Sequence, residues 1–247
     1  MYHFFVGSDA VDNSHIRITG TDVNHIKNVL RMKNGEQIIV SITNDESDTD
    51  YYCSLDEITD DYVMARIDWT EEGRELPSKI YLFQGLPKAD KMELIIQKSV
   101  ELGVFEIIPV AMKRSVVKLD EKKSDSKIKR WQAISESAAK QSKRSIIPEI
   151  KNVMSFKAAM EYAKNTDVKI LPYENAKGIQ ETRRIIDGIE RNTSVAVMIG
   201  PEGGFAPEEI ELATEYGFMP VTLGKRILRT ETAGFTVLSA LMIHLED

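Results

Sequence analysis

The stretch SVAVMIGPEGGFAPEEIELATEYGFMPVTLGKRILRTETAGF, residues 194–235, decides the fold of this chain. Val195 to Ile199 form a short apolar run, which predicts a buried strand that ends at Gly200. Pro207, followed by two glutamates, predicts a helix start, because proline and acidic residues favour the first helical turn. The order strand, glycine turn, helix is typical of an α/β domain.

The same order is repeated further along the stretch. Residues 219–223 predict a second strand, which runs into Gly224 and a loop with several cations. Thr230 is predicted to cap a last helix, 231–245. Two consecutive strands along the chain therefore each end in a glycine loop.

These two loops predict a ligand site, because open parallel sheets bind ligands beyond the carboxyl ends of their strands. The alternative is that both loops are merely tight connections. A phosphate ligand fits poorly, since Glu202, Glu208 and Glu209 crowd the start of the helix and would repel it. Neither a GxGxxG nor a GxxxxGK[ST] motif occurs in the sequence. A neutral or cationic ligand is favoured.

Composition indicates a globular intracellular protein. The chain has 247 residues, of which 42% are hydrophobic, enough for one large domain or two modest ones. The single cysteine, Cys53, excludes an internal disulfide and fits a reducing cytoplasm. The N-terminus does not resemble a signal peptide, no apolar run is long enough to span a membrane, and the four histidines show no metal-ligand spacing.

Charge is unevenly distributed within a chain of net charge −7. Residues 1–75 hold 6 basic and 16 acidic residues, whereas residues 113–144 hold 11 basic and 4 acidic ones. A one-signed basic segment can attract a nucleic-acid backbone, although an isolated charge run is usually a solvated face. The candidates for RNA contact at its end are Lys140, Lys143 and Arg144.

Two domains are predicted. Residues 1–72 contain several short strand candidates with close spacing, which indicates a small β-barrel. They also contain a predicted helix, 22–31, capped by Thr21-Asp22, with Ile26, Val29 and Leu30 directed inward. From residue 73 to 247 strands and helices alternate, as in an α/β domain.

Six sequence blocks together resemble one family. They are residues 25–35, 84–103, 113–115, 136–148, IGPEGG at 199–204 and LGKRILRTETA at 223–233. In combination they are similar to the RsmE family of 16S ribosomal RNA methyltransferases, which use S-adenosylmethionine (SAM) to methylate N3 of a uridine. The similarity covers nearly the whole chain. One departure is His3, where the family often has arginine.

The resemblance implies a fold beyond what periodicity predicts. It implies an N-terminal PUA-like β-barrel that binds RNA and a C-terminal SPOUT-type α/β domain whose chain forms a trefoil knot. It also implies a homodimer that acts on 16S rRNA in the small ribosomal subunit. In the barrel, the residues expected to contact RNA are Arg17, Lys27 and Arg31.

The resemblance also implies a SAM site in the loops that the glycine pattern singles out. The expected cofactor-binding residues are Leu171, Pro172, Tyr173, Glu174, Ile199, Gly200, Gly203, Gly204, Leu223, Gly224, Ile227, Leu228 and Thr230. A cationic sulfonium is compatible with the nearby glutamates.

Uridine N3 must lose a proton before or during methyl transfer, and negative charge then spreads onto O2 and O4. Arg229 is the first candidate for stabilising that charge and Arg114 the second. Glu231 and Glu202 are candidate general bases, and each could equally cap a helix or form an ion pair. Two alternatives are a non-catalytic PUA-type RNA-binding or ribosome-assembly protein and a nucleotide-binding α/β protein.

Overall fold

A computed structural model describes residues 1–43, 48–117, 121–176 and 178–246. The chain divides into two compact units. The first unit comprises Met1–Glu75 and Ala139–Ile147, and the second comprises Leu76–Ala138 and Pro148–Asp247. The segment around residue 140 thus belongs to the N-terminal unit although it follows a large part of the second unit in sequence.

The first unit is built on one six-stranded sheet. Its strands are β1 (Tyr2–Val6), β2 (Val11–Asp12), β3 (His15–Thr19), β4 (Gln37–Ile42), β5 (Thr49–Ile58) and β6 (Tyr62–Glu72). Their order in the sheet is β1-β4-β5-β6-β3-β2, and all pairs are antiparallel except β1 with β4. Two register shifts between β5 and β6 bend the long hairpin.

The core of this unit is one apolar cluster to which β1, β3, β4, β5 and β6 all contribute. Inward side chains alternate along β3, where Ile16 and Ile18 are buried while Arg17 between them is exposed. Because strands from across the sheet share one core, the sheet curls around it, as a small β-barrel requires.

The predicted helix 22–31 is partly wrong. A short α1 (Thr21–Asn24) continues into one π-helical turn (His25–Val29), closed by a bond from the Leu30 amide to the His25 carbonyl of 2.8 Å. The wider turn rotates the side chains that follow, so Ile26 is buried but Val29 is 62% exposed. Thr21 is the first helical residue and its hydroxyl makes no cap bond.

The second unit alternates strands and helices, as predicted. Its strands are β7 (Lys79–Gly85), β8 (Glu106–Ala111), β9 (Glu149–Ile150), β10 (Met154–Ser155), β11 (Val168–Pro172), β12 (Ser194–Ile199) and β13 (Met219–Val221). Its helices are α2 (Lys91–Glu101), α3 (Glu121–Ser142, whose last residues from Ala139 belong to the first unit), α4 (Phe156–Ala163), α5 (Ile179–Asp187), α6 (Pro207–Glu215) and α7 (Thr230–Leu245). The helix start at Pro207 and the strand Val195–Ile199 are confirmed.

Its sheet is parallel throughout and carries helices on both faces. The order is β10-β8-β7-β12-β11-β13, with β9 paired to β8. On one face, α4 and α6 share an apolar cluster with Phe83, Met198 and Ile108. Helix α7 contacts β12 and also α2 and α5. Burial on both faces explains why Val195–Ile199 reads as a continuous apolar run rather than an alternating one.

Candidate active site

A cavity of about 490 Å³ lies where the chain leaves β11, β12 and β13. Its walls are the segments 172–174, 199–205 and 222–230, together with Lys91 and Ala233. β12 lies between β7 and β11, and β13 pairs with β11, so the two glycine loops flank the end of β11. The carboxyl ends of three strands therefore form one site, as expected for a parallel sheet.

Glycines let the first loop fold tightly. A Cβ on Gly203 would lie 2.9 Å from the Cβ of Arg114, and one on Gly200 would lie 3.1 Å from the ring of Phe205. Gly204 has φ +68°, in the left-handed region that glycine favours. Any larger residue at Gly203 would push Arg114 away from the loop.

The glutamates of this loop are engaged with neighbouring groups. Glu209 is buried and accepts bonds of 2.8 Å from the amides of Lys113 and Ala206, so it caps α6 and fixes the chain after β8. Glu208 forms an ion pair with Lys113. These contacts compensate the charges of Glu208 and Glu209. The two glutamates would therefore repel an anionic ligand less than the sequence predicts.

A buried hydrogen-bond chain joins the two glycine loops to β7. The Thr230 hydroxyl donates to the Gly200 carbonyl at 2.6 Å and accepts from Nε2 of Gln84 at 3.0 Å. Gln84 is fully buried at the carboxyl end of β7. The predicted capping role of Thr230 is wrong, because Thr230 is the first residue of α7 and its hydroxyl bonds to the opposite loop.

Lys91, the first residue of α2, contacts both candidate general bases. Its Nζ lies 3.1 Å from Glu202 and 3.3 Å from Glu231. Hydrogen bonding to Glu202 outweighs burial and raises the pKa of Lys91. Burial pushes the pKa of Glu202 upward, but hydrogen bonds from its own amide, from Lys91 and from the Lys88 amide lower that pKa overall.

Cations of the second loop and of the chain after β8 lie at the cavity. Arg229 and its neighbours Lys225 and Arg226 line it and are exposed. Arg114 donates from Nη1 to the Gly203 carbonyl at 3.2 Å, which holds it against the first loop. The site thus combines glycine loops with accessible backbone groups, apolar walls and exposed cations that can bind an anionic group.

Two family models match the chain. An RNA methyltransferase domain matches residues 74–242, and an RNA methyltransferase PUA domain matches residues 18–46. The first match covers more than half of the chain. The chain belongs to the RNA methyltransferase family.

Individual relatives show which RNA methyltransferases the chain is similar to. A ribosomal RNA small subunit methyltransferase E from Bacillus subtilis is 41% identical over 93% of this chain and 90% of its own length. One from Mesomycoplasma hyopneumoniae is 37% identical over 97% and 98%. The crystal structure of the enzyme of that name from Neisseria gonorrhoeae, bound to S-adenosyl methionine, superimposes with a TM-score of 0.82 at 30% identity, covering 98% and 97%. The predicted RsmE resemblance and the predicted fold class of an α/β domain with a PUA-like N-terminal domain are confirmed.

The cavity gathers all but one of the cofactor-binding residues predicted for this methyltransferase. Leu171 is the exception, because its side chain is fully buried in the apolar core shared with α4 and α6. Sequence reasoning missed other residues of the wall. These are Lys91, Pro201, Phe205, Thr222, Lys225, Arg226 and Ala233.

The predicted RNA-binding residues lie in varied environments in the first unit. The guanidinium of Arg17 stacks 4.4 Å above the ring of Tyr62. Lys27 pairs with Asp60 at 2.7 Å, and Arg31 is in the left-handed region with φ 54°. All three belong to the PUA-matched unit.

The three basic residues at the end of α3 differ from one another. Lys140 lies 3.2 Å from Asp22, and Lys143 is exposed. Arg144 is buried and bonds to Glu75, whose carboxylate also accepts from the Ser145 amide. Arg144 therefore stabilises the first unit. The sequence predicts that Arg144 contacts RNA, but the structure buries its side chain.

In the part of the chain that the structure describes, no group of three or more His, Cys, Asp or Glu has the arrangement of a metal site. Within the same residues, no helix combines the length and apolar character needed to cross a bilayer.

Proposed function

We propose that this protein uses SAM to methylate N3 of a uridine in 16S ribosomal RNA. The observation that carries the proposal is the convergence of twelve of the thirteen predicted cofactor residues on one cavity. They come from three strand ends that are far apart in sequence. The neighbours that superimpose on this chain include an enzyme bound to S-adenosyl methionine.

The residues of the cavity fit this cofactor. Pro172, Ile199 and Leu228 offer apolar walls for an adenine ring, and the loops around Gly204 and Gly224 present backbone groups without a Cβ in the way. Glu174 can accept hydrogen bonds from hydroxyl or ammonium groups. When bound, SAM supplies an electrophilic methyl group on a sulfonium.

The chain's own residues would act on the uracil. Loss of the N3 proton leaves charge on O2 and O4, and a pre-placed cation stabilises that charge. Arg229 lines the cavity and Arg114 is held against its edge by Gly203, which supports both as oxyanion-stabilising cations.

We further propose a separate function for each domain, as the family suggests. The N-terminal domain, 1–72, binds RNA, and the domain 73–247 binds SAM, catalyses transfer and contains a trefoil knot. The protein works in the cytoplasm as a homodimer on the small ribosomal subunit. The basic residues Arg17, Lys27, Arg31, Lys140 and Lys143 would contact the RNA backbone.

The proposal is tested in two steps. Calorimetric titration of the purified protein with SAM is expected to show saturable binding, with ATP and NAD as ligands that do not bind. Small-subunit RNA or subunits from cells lacking the modification are then incubated with SAM and protein, and the product is digested and analysed for N3-methyluridine by mass spectrometry. Binding of RNA without SAM binding or methylation would favour the non-catalytic alternative.

A further inference from the structure

Lys91 is the one cation that reaches from α2 into the wall of the cavity, among the residues that the structure describes there. It belongs to neither glycine loop. Its Nζ lies between a carboxylate of the first loop, Glu202, at 3.1 Å and a carboxylate at the start of α7, Glu231, at 3.3 Å. One ammonium thus ties together two chain segments that approach the cavity from different strands.

A second contact strengthens the link between the β7–α2 segment and the first loop. The Lys88 amide donates to both oxygens of the Glu202 carboxylate, at 3.2 and 3.3 Å. Glu202 therefore bonds to the β7–α2 segment at two points three residues apart. These bonds fix its orientation.

The ion pairs of Lys91 with Glu202 and Glu231 are intermediate in burial. The side chains of Lys91, Glu202 and Glu231 are 29%, 25% and 14% exposed. At this intermediate depth water compensates a carboxylate that loses its cation only in part, so the loss of Lys91 leaves Glu202 and Glu231 partly uncompensated. Glu231 is not among the residues that line the cavity.

We infer that Lys91 is a positioning residue that clamps the two cofactor loops to α2, with Glu202 and Glu231 as its anchors. This inference rests on the proposed function for its ligand, but the clamp itself is a property of the free protein. Both carboxylates are engaged with Lys91, so we assign them to holding the loops and not to accepting the proton of uridine N3. Opening the clamp loosens the cavity without removing a reacting group.

The clamp is tested first without any ligand. Amide hydrogen exchange of the free protein is compared for Lys91→Met, Lys91→Arg and a control, Lys98→Met, which removes a partly exposed ion pair with Glu101 on the same helix. We expect exchange in segments 200–206 and 222–230 to accelerate about tenfold in Lys91→Met, to recover partly in Lys91→Arg and to stay unchanged in Lys98→Met. Unchanged exchange in both segments of Lys91→Met would overturn the inference.

The second test separates an anchor from a general base. For Glu202→Gln and Glu231→Gln we expect the Kd for SAM to rise about threefold to tenfold, with kcat at saturating SAM reduced less than about threefold. A general base would give the opposite split, with kcat reduced about 100-fold and an unchanged Kd. That result for either variant would overturn the assignment of that glutamate.

A triple variant makes the test independent of folding defects. Lys91→Met leaves two carboxylates facing each other, and adding Glu202→Gln and Glu231→Gln removes that repulsion. We expect the triple variant to bind SAM more tightly than Lys91→Met alone, and weaker binding would contradict the clamp. If the wild-type protein fails to bind SAM, the proposed function is wrong, while the exchange experiment still decides the clamp.

Discussion

Arg229 is the residue whose position best matches a role in chemistry. It immediately precedes α7, lies on the wall of the cavity and is exposed, so its guanidinium can meet a substrate without first breaking a buried contact. We expect Arg229→Ala to lower single-turnover methylation by about 100-fold or more, the scale of losing one oxyanion donor, with little change in the Kd for SAM. Arg184→Ala, in an exposed ion pair with Glu181, is the control. An unchanged single-turnover rate would remove Arg229 from the mechanism.

Thr230 tests the buried hydrogen-bond chain. Thr230→Val keeps the side-chain shape but leaves the Gly200 carbonyl and the Gln84 amide without this partner. Because an unsatisfied buried polar group is costly, we expect the Kd for SAM to rise about tenfold. Thr236→Val on the same helix removes an exposed hydroxyl bonded to Thr232 and should leave the Kd unchanged. Equal effects of both variants would show that the hydroxyl at Thr230 has no special role.

At the scale of elements, strands β1, β4 and β5 share a buried polar network. Nε2 of His3 lies 2.7 Å from the Ser41 hydroxyl, which donates to Asp50 at 2.6 Å, and Asp50 pairs with Arg74 at 2.6 Å. Burial lowers the pKa of His3 from 6.5 to about 4, although Asp50 alone would raise it. The position where the family often has arginine thus holds a neutral imidazole inside the strands.

This network predicts a pH dependence of stability. As pH falls from about 6.5 to about 4, His3 binds a proton in the unfolded chain but stays neutral in the folded protein. The free energy of unfolding therefore decreases. The loss should reach roughly 3 kcal/mol below pH 4. In urea unfolding across this range, His3→Gln should flatten the dependence, whereas His15→Gln, at an exposed histidine, should not. An identical slope in wild type and His3→Gln would contradict the assignment.

Elements encoded by local pattern were predictable from the sequence. The apolar run Val195–Ile199 predicts a buried strand, and Pro207 with the two glutamates after it predicts a helix start, because the determining residues are neighbours in sequence. The π-helical turn at His25–Val29 was missed, since one extra residue per turn leaves no signature in the hydrophobic spacing. Its consequence is the exposed Val29.

Contacts between distant segments could not be predicted by pattern. Lys91 and Glu231 are 140 residues apart and meet because α7 packs against α2 and against β12, which lies beside β7 in the sheet. No periodicity encodes that order of strands. For the same reason the pattern could not show that Thr230 bonds to Gly200, and its hydroxyl was assigned to a cap, the commonest local use.

At the scale of the whole molecule, charge is separated along the chain. The net charge is −7, yet residues 113–144 hold 11 basic residues and 4 acidic ones. RNA binding driven by phosphate contacts releases counterions, so its affinity falls with salt in proportion to the number of contacts. Arg144 is excluded from that count by its burial against Glu75, whereas Lys143 is exposed.

The salt dependence therefore tests which cations contact RNA. We expect Lys140→Ala with Lys143→Ala to weaken binding of small-subunit RNA and to reduce the slope of log K against log salt by about 1–2. The matched control, Lys157→Ala with Lys164→Ala, removes the same charge from exposed positions of α4 and the residue after it. Filter binding at four salt concentrations measures both slopes. An equal change in the two double variants would mean that the affinity for RNA depends on net charge alone, because a local contact must make one basic surface matter more than another.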